Sequence, residues 1–252
     1  MPRLAALAVA AALVAACSGG GDDSPPAAVV RVFAASSLAG PFEDLGTRFA
    51  QQHDDVRVDF TFSASDVLVD QVGRGRAAAV LATANPASMA DAVQDGLARG
   101  SRVFARNHLA IVVPDGNPAG IAGFSDLRSA DVTLAMCSEE RTCGTLARAA
   151  LDKAGVSRDG DITRQTSSAV LDVVARGEAD AGIVFATTAD NDDGEDVDVV
   201  LTLDGSDPDL EAVYEIALLS TAIARDEAQA WVEFVLGDEG QAILAEHGFA
   251  RP

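Results

Sequence analysis

Strand-like and helix-like periodicities alternate along this chain. Val30-Arg-Val-Phe-Ala reads as a short strand of β-branched and aromatic residues, and it leads through Ala35-Ser36-Ser37 into an amphipathic stretch from Leu38 to Gln52. Phe42, Leu45 and Phe49 recur there at spacings of three and four, the mark of one buried helix face. The unit then repeats: Val56 to Phe62 alternates as a strand, Ser63-Ala64-Ser65 is a small polar turn, and Asp66 to Gly73 reads as a helix.

Later segments keep the rhythm. A strand is predicted at Ala78–Ala82, a helix at Pro86–Arg99, and an apolar strand at His108–Val113 that Pro-Asp-Gly-Asn-Pro ends. The second half predicts a strand at Val132–Met136, helices at Thr145–Ala154 and Ser168–Arg176, and a buried strand at Gly182–Phe185. Asp190 to Asp198 reads as an acidic surface loop, Tyr214–Leu219 as a final strand, and Arg225–Leu236 and Glu239–His247 as closing helices. Strands alternating with helices argue for an α/β architecture of mostly parallel sheets covered by helices.

The N-terminus departs from this pattern. One positive charge, Arg3, precedes an unbroken run of Ala, Leu and Val, the layout of a secretory signal over residues 1–16. The run is shorter than the roughly 18 to 20 apolar residues a membrane-spanning helix needs. Val14-Ala15-Ala16-Cys17 resembles the bacterial lipobox, which makes Cys17 the expected lipidated N-terminus of an exported protein held on the outer face of the cell membrane. Residues 17–28, rich in Gly, Ser, Asp and Pro, would form a spacer, since nothing in them offsets the entropy of ordering.

Composition removes several classes of function. With 39 acidic against 18 basic residues and a net charge of −21, nucleic acid is not an expected partner. His53, His108 and His247 stand in unrelated contexts without a second ligand at metal spacing, and there is no nucleophile elbow, P-loop or dinucleotide fingerprint. An exported hydrolase is therefore disfavoured, and neither enzymatic activity nor a cofactor is expected. Cys137 and Cys143, in an oxidising compartment, suggest a disulfide closing the loop 138–142, with a free pair or a metal site as alternatives.

The positive signal lies in the turns. Ser36-Ser37, Ser63-Ala64-Ser65 and Ser167-Ser168 each precede a helix. Any one of them taken alone is more often an N-cap than a ligand. Three together, at the carboxyl ends of strands where helix N-termini converge, make a site for an anion without formal positive charge.

These residues resemble the molybdate-binding proteins of ABC importers, in segments spread over most of the chain. Val32-Phe-Ala-Ala-Ser-Ser-Leu-Ala resembles that family's opening strand and turn, and Phe62-Ser-Ala-Ser-Asp-Val-Leu-Val-Asp-Gln its second serine turn. Ala179-Asp-Ala-Gly-Ile-Val-Phe resembles the strand bearing a ligand-facing aromatic, and Gly240-Gln-Ala-Ile-Leu-Ala-Glu-His-Gly-Phe the closing helix and turn.

The resemblance implies a two-lobed type II periplasmic-binding-protein fold with a cleft between two mixed, mostly parallel sheets. Lobe 1 would hold residues 29–108 plus 220–252 and lobe 2 residues 109–219, joined near His108–Pro114 and Tyr214–Leu219. It implies a monomer that captures molybdate or tungstate and delivers it to an ABC permease. Ser37 and Ser65 would donate from one lobe and the amides of Cys143 and Ser167 from the other, while Phe185 stands where the family carries a tyrosine. Ala79, Thr188 and Asp66 also depart from the family pattern. Alternatives in ligand are sulfate, another oxyanion or a small organic acid; the alternative in role is an extracellular sensory or accessory module.

Overall fold

The computed structural model describes residues 28–190 and 196–252. The expected signal, Cys17 and nearly all of its spacer, and the centre of the acidic segment 190–198, lie outside the described residues. In chain order the elements are β1 (Ala28–Ala35), a 3-10 turn at Ser36–Leu38, α1 (Ala39–Ala50), β2 (Val56–Ser63), α2 (Ser65–Gly73), β3 (Val80–Thr83), α3 (Pro86–Gln94) and β4 (Ala98–Asn107). Then come β5 (Leu109–Pro114), β6 (Leu134–Cys137), α4 (Thr142–Lys153), β7 (Ile162–Arg164), α5 (Ser167–Ala175), β8 (Ala181–Phe185), α6 (Ala186–Asp190) and β9 (Val197–Thr202). The chain closes with β10 (Ala212–Leu219), α7 (Arg225–Leu236) and α8 (Asp238–Glu246). No helix among the described residues is long and apolar enough to cross a membrane.

Two five-stranded sheets emerge from these residues, in the orders β2-β1-β3-β10-β4 and β7-β6-β8-β5-β9. They share one plan. Three strands pair in parallel through helical crossovers, and two antiparallel strands complete each sheet. Parallel and antiparallel ladders are equal in number among the described strands, so the sheets are mixed but less parallel than strand-helix alternation implied.

Several boundaries differ from the sequence expectation, and two of them change the architecture. The helix from Pro86 stops at Gln94, not Arg99, because Gly96 takes a left-handed φ of 72° and turns the backbone back on the helix end. Gly96 N–H donates to Val93 O and Leu97 N–H to Ala92 O, a glycine-based C-terminal cap. That turn frees residues 98–107 to form β4. Strand β10 lies in the first sheet, between β3 and β4, so lobe 2 ends near residue 211 rather than 219. The second crossing is accordingly 203–211, and the first is the step from Asn107 to Leu109.

The two cores differ in material. In lobe 1, Trp231 on α7 meets Phe42 and Phe49 of α1 and Phe60 of β2, with ring centroids 5.9, 5.4 and 5.7 Å away. Lobe 2 is centred on buried aliphatic residues, among them Ile111, Leu134, Leu151, Val170 and Ile183. Each fully buried side chain of this size contributes about 1.5 to 3 kcal/mol.

Candidate functional site

A cavity of about 530 Å³ opens between the carboxyl ends of the parallel strands of the two sheets. Its size falls in the range of small-molecule sites, roughly 300 to 1,000 Å³. Lobe 1 lines it with Ser37, with Ser63 to Asp66 and with Ala84 to Ser88; lobe 2 does so with Glu140 to Cys143, Gln165 to Ser168 and Phe185. All five residues singled out from the sequence as ligand contacts, Ser37, Ser65, Cys143, Ser167 and Phe185, are thus brought to one wall or another of a single cavity.

The serines do not sit as helix caps. Ser65 and Ser167 are the first residues of α2 and α5, and the N-cap positions belong to Ala64 and Thr166. Ser65 Oγ instead accepts the backbone N–H of Ala84 at 3.1 Å, and Ser167 Oγ accepts that of Phe185 at 2.9 Å. A backbone amide can only donate, so each hydroxyl proton remains for another acceptor; for Ser167 the disulfide sulfur of Cys137, a weak acceptor, lies 3.9 Å away. Both serines are buried and both line the cavity.

Ser37 is held differently. Its Oγ lies 3.0 Å from the hydroxyl of Tyr214, which is fully buried. Burial pushes the Tyr214 phenol above its ordinary value, and hydrogen bonds to Ser37 and Asn107 partly oppose this, so it is a neutral hydroxyl at physiological pH.

Two helix N-termini, one from each lobe, also face the cavity. Neither α2 nor α4 has a side-chain cap, so their first-turn amides, Cys143 N–H among them, have no intrahelical acceptor. The first turn of α4 presses on the end of β6: a Cβ on Gly144 would lie 2.1 Å from Ser138 O. The Cys137–Cys143 disulfide ties the same two elements, with Cα atoms 5.8 Å apart. Across the cleft, Asn85 Nδ2 donates to Thr142 Oγ1 at 3.3 Å.

Two residues were not singled out from the sequence. In the sequence Tyr214 is a strand residue, and its contact with Ser37 spans 177 positions; the available signal is that it is the sole tyrosine. Arg141, at the N-cap of α4, is the only cation in the described lining, and in the sequence it lies within a polar turn that carries no anion-site signal of its own. Phe185 contributes through its backbone, which holds Ser167, and through a buried ring on the cavity wall. Asp66 is exposed in the first turn of α2, at the edge of the lining. Among the described residues no group of His, Cys, Asp and Glu could hold a metal ion.

A two-lobed α/β fold with donors converging in the interlobe cleft defines a solute-binding protein. The family described as bacterial extracellular solute-binding protein matches residues 30–250, and the chain belongs to it. It is 32% identical over 222 residues to the molybdate-binding protein ModA of Mycobacterium bovis, covering 88% of this chain and 84% of that one. Among solved structures it is similar to the tungstate ABC transporter protein of Geobacter sulfurreducens, with TM-score 0.72, 19% identity and coverage of 86% and 98%. It is also similar to the periplasmic molybdate-binding protein of Azotobacter vinelandii, with TM-score 0.69, 17% identity and coverage of 88% and 99%.

Proposed function

We propose that this protein captures molybdate or tungstate outside the cytoplasm and delivers it to an ABC permease, without catalysing a reaction. The observation that carries the reading is the state of the serines: Ser65 and Ser167 each accept a backbone N–H and line one cavity, and among the described residues the one acceptor for either proton is the weak disulfide sulfur beside Ser167, which an oxyanion outcompetes. A tetrahedral dianion needs donors on several sides. Hydroxyls and uncapped helix amides from two lobes supply them, and Arg141 sets one positive charge against the carboxylates of Asp66, Glu140 and Glu211 in the same lining. The 32% identity to a molybdate-binding protein over most of both chains supports the choice of anion.

The overall charge of −21 does not oppose this. Exposed charges are screened beyond about 8 Å at physiological salt, whereas donors inside a closed cleft act at hydrogen-bond distance. In this reading the lobes swing about the segments 107–109 and 203–211 and close on the anion, which excludes water and presents one shape to the permease. Lipidation at Cys17 would keep a monomeric scavenger beside its transporter. Calorimetric titration of the purified protein with molybdate, tungstate and sulfate tests the reading. Tight binding of the first two is expected, and no heat with any oxyanion overturns it.

A further inference from the structure

Asn107 closes β4 at the first crossing between the lobes, and the groups around its amide fix which way that amide points. Its Oδ1 accepts the backbone N–H of His108 at 2.9 Å. The other end of the side chain is therefore the NH2 group, which has two protons to give. One goes to Thr187 Oγ1 of α6 at 2.8 Å, and the Tyr214 hydroxyl is near enough to this side chain for its oxygen to serve as a partner for the second. Ser37 Oγ, at 3.0 Å, is the one hydrogen-bond partner that distances establish for the Tyr214 hydroxyl among the described residues, and it is there to take the phenol proton. The reverse polarity would leave the proton of the fully buried Tyr214 without an acceptor among the hydrogen bonds of the described residues, an unsatisfied group of the kind that folded proteins avoid.

We propose that Asn107 and Tyr214 are positioning residues that fix Ser37 as a hydrogen-bond donor to the bound anion, through a chain of donors that begins at the His108 backbone N–H in the interlobe crossing. The proposal rests on the reading that Ser37 donates to an oxyanion. Ser65 and Ser167 reach the same donor state in one step, by accepting backbone amides. Ser37 reaches it through two side chains, and the far end of that chain touches Thr187 in the other lobe. A hydroxyl whose oxygen is already occupied need not reorient when the anion arrives, and such preorganisation is gained as affinity.

Calorimetric titration with molybdate and tungstate of the unsubstituted protein and of Ser37→Ala, Tyr214→Phe, the double variant and Asn107→Asp tests the chain of donors. Tyr214→Phe keeps the ring and removes only the oxygen, and affinity is expected to fall roughly tenfold, the scale of one hydrogen bond to a charged group. Because Tyr214 acts through Ser37, the double variant should bind as Ser37→Ala alone does. A purely structural tyrosine would give effects that multiply.

Asn107→Asp is near-isosteric but takes the Tyr214 proton, so Tyr214 in turn takes that of Ser37, and affinity should fall at least as far as in Tyr214→Phe. This second variant carries the test should the first not fold. Weakened binding in Ser37→Ala with unchanged binding in both Tyr214→Phe and Asn107→Asp overturns the proposal, as do multiplying effects. Unsubstituted protein that binds neither anion, or Ser37→Ala that binds as tightly as the unsubstituted protein, removes the underlying oxyanion reading and the proposal with it.

Discussion

The two lobes follow the same strand order and meet the ligand cavity with corresponding elements, yet they are built from different materials. Lobe 1 packs rings around Trp231; lobe 2 packs Ile, Leu and Val. At the cavity the second turns are near copies, with Ser65 and Ser167 each tied to the amide at the end of the neighbouring strand. The first turns are not. In lobe 1 a hydroxyl is oriented by a buried phenol, and in lobe 2 a disulfide and a close backbone approach at Gly144 hold the start of α4. The difference teaches that the shared plan fixes where donors arrive, while each lobe finds its own means of holding them still.

Core truncation should give the largest effects and separate stability from binding. Trp231→Ala in lobe 1 is expected to cost about 4 kcal/mol and Leu151→Ala in lobe 2 about 3 kcal/mol, both measured by denaturant unfolding followed by far-UV circular dichroism. Neither residue lines the cavity, so molybdate affinity should change by less than roughly threefold where the variants remain folded. A large affinity loss in either would mean that core and cavity are not separable as the comparison claims.

The disulfide comes next. Replacing Cys137 and Cys143 together by Ser should cost about 2 kcal/mol of stability, the scale for a loop this short. It should also weaken binding, because the start of α4 loses one of its two restraints. The same stability with unchanged affinity would show that the contact at Gly144 suffices alone.

The matched serines make the sharpest test of symmetry. Ser65→Ala and Ser167→Ala should each reduce molybdate affinity by about 1.5 kcal/mol, roughly tenfold, since each removes one hydrogen bond to a charged ligand. Equal losses by calorimetry are expected. A silent Ser167 would confine the hydroxyl donors to lobe 1 and leave lobe 2 to act through amides alone.

How much of this could be read beforehand differs between regions in the same physical way. Strands β1 and β2 pair in parallel along their whole length, and their hydrophobic alternation is visible in the sequence. Strand β4 was hidden because it carries Arg99, Arg102 and Arg106 on an edge and pairs with β10 through register shifts. Strand β9 is likewise an edge, next to an acidic run that reads as loop. Local chemistry revealed the serine turns, because a small polar turn before a helix is a short-range signal. The Ser37–Tyr214 contact was not legible, since it joins residues from the two ends of the chain through a strand that crosses back from lobe 2.

The smallest expected effects lie on the outer ends of the matched helices α1 and α4. Each carries a basic residue in its last turn: Arg48 pairs with Glu239 of α8, and Lys153 with Asp207 and Asp209 in the second crossing, at 2.6 and 3.0 Å. Hydrogen bonds from Gln52 and then Arg48 hold the Glu239 carboxyl below its ordinary 4.5, and Lys153 holds Asp207 below its ordinary 3.8. A depressed folded-state value means that the contribution is present above the unfolded value and is lost as the pH falls through the folded one. Glu239→Gln and Asp207→Asn should therefore lower stability slightly at neutral pH. Each difference should shrink below pH 4.5 and 3.8 respectively, and vanish once the carboxyl is protonated in both states. Both groups are exposed, so added salt should shrink the differences too. The Asp207 pair has a second limit, because Asp207 and then Asp209 raise the Lys153 ammonium above its ordinary 10.5, and that contribution is lost at still higher pH. Thermal unfolding of the two variants between pH 3 and 8 measures the effects. A Glu239→Gln difference that did not shrink at all between pH 4.5 and pH 3 would show that Glu239 acts on α1 through packing and not through its charge.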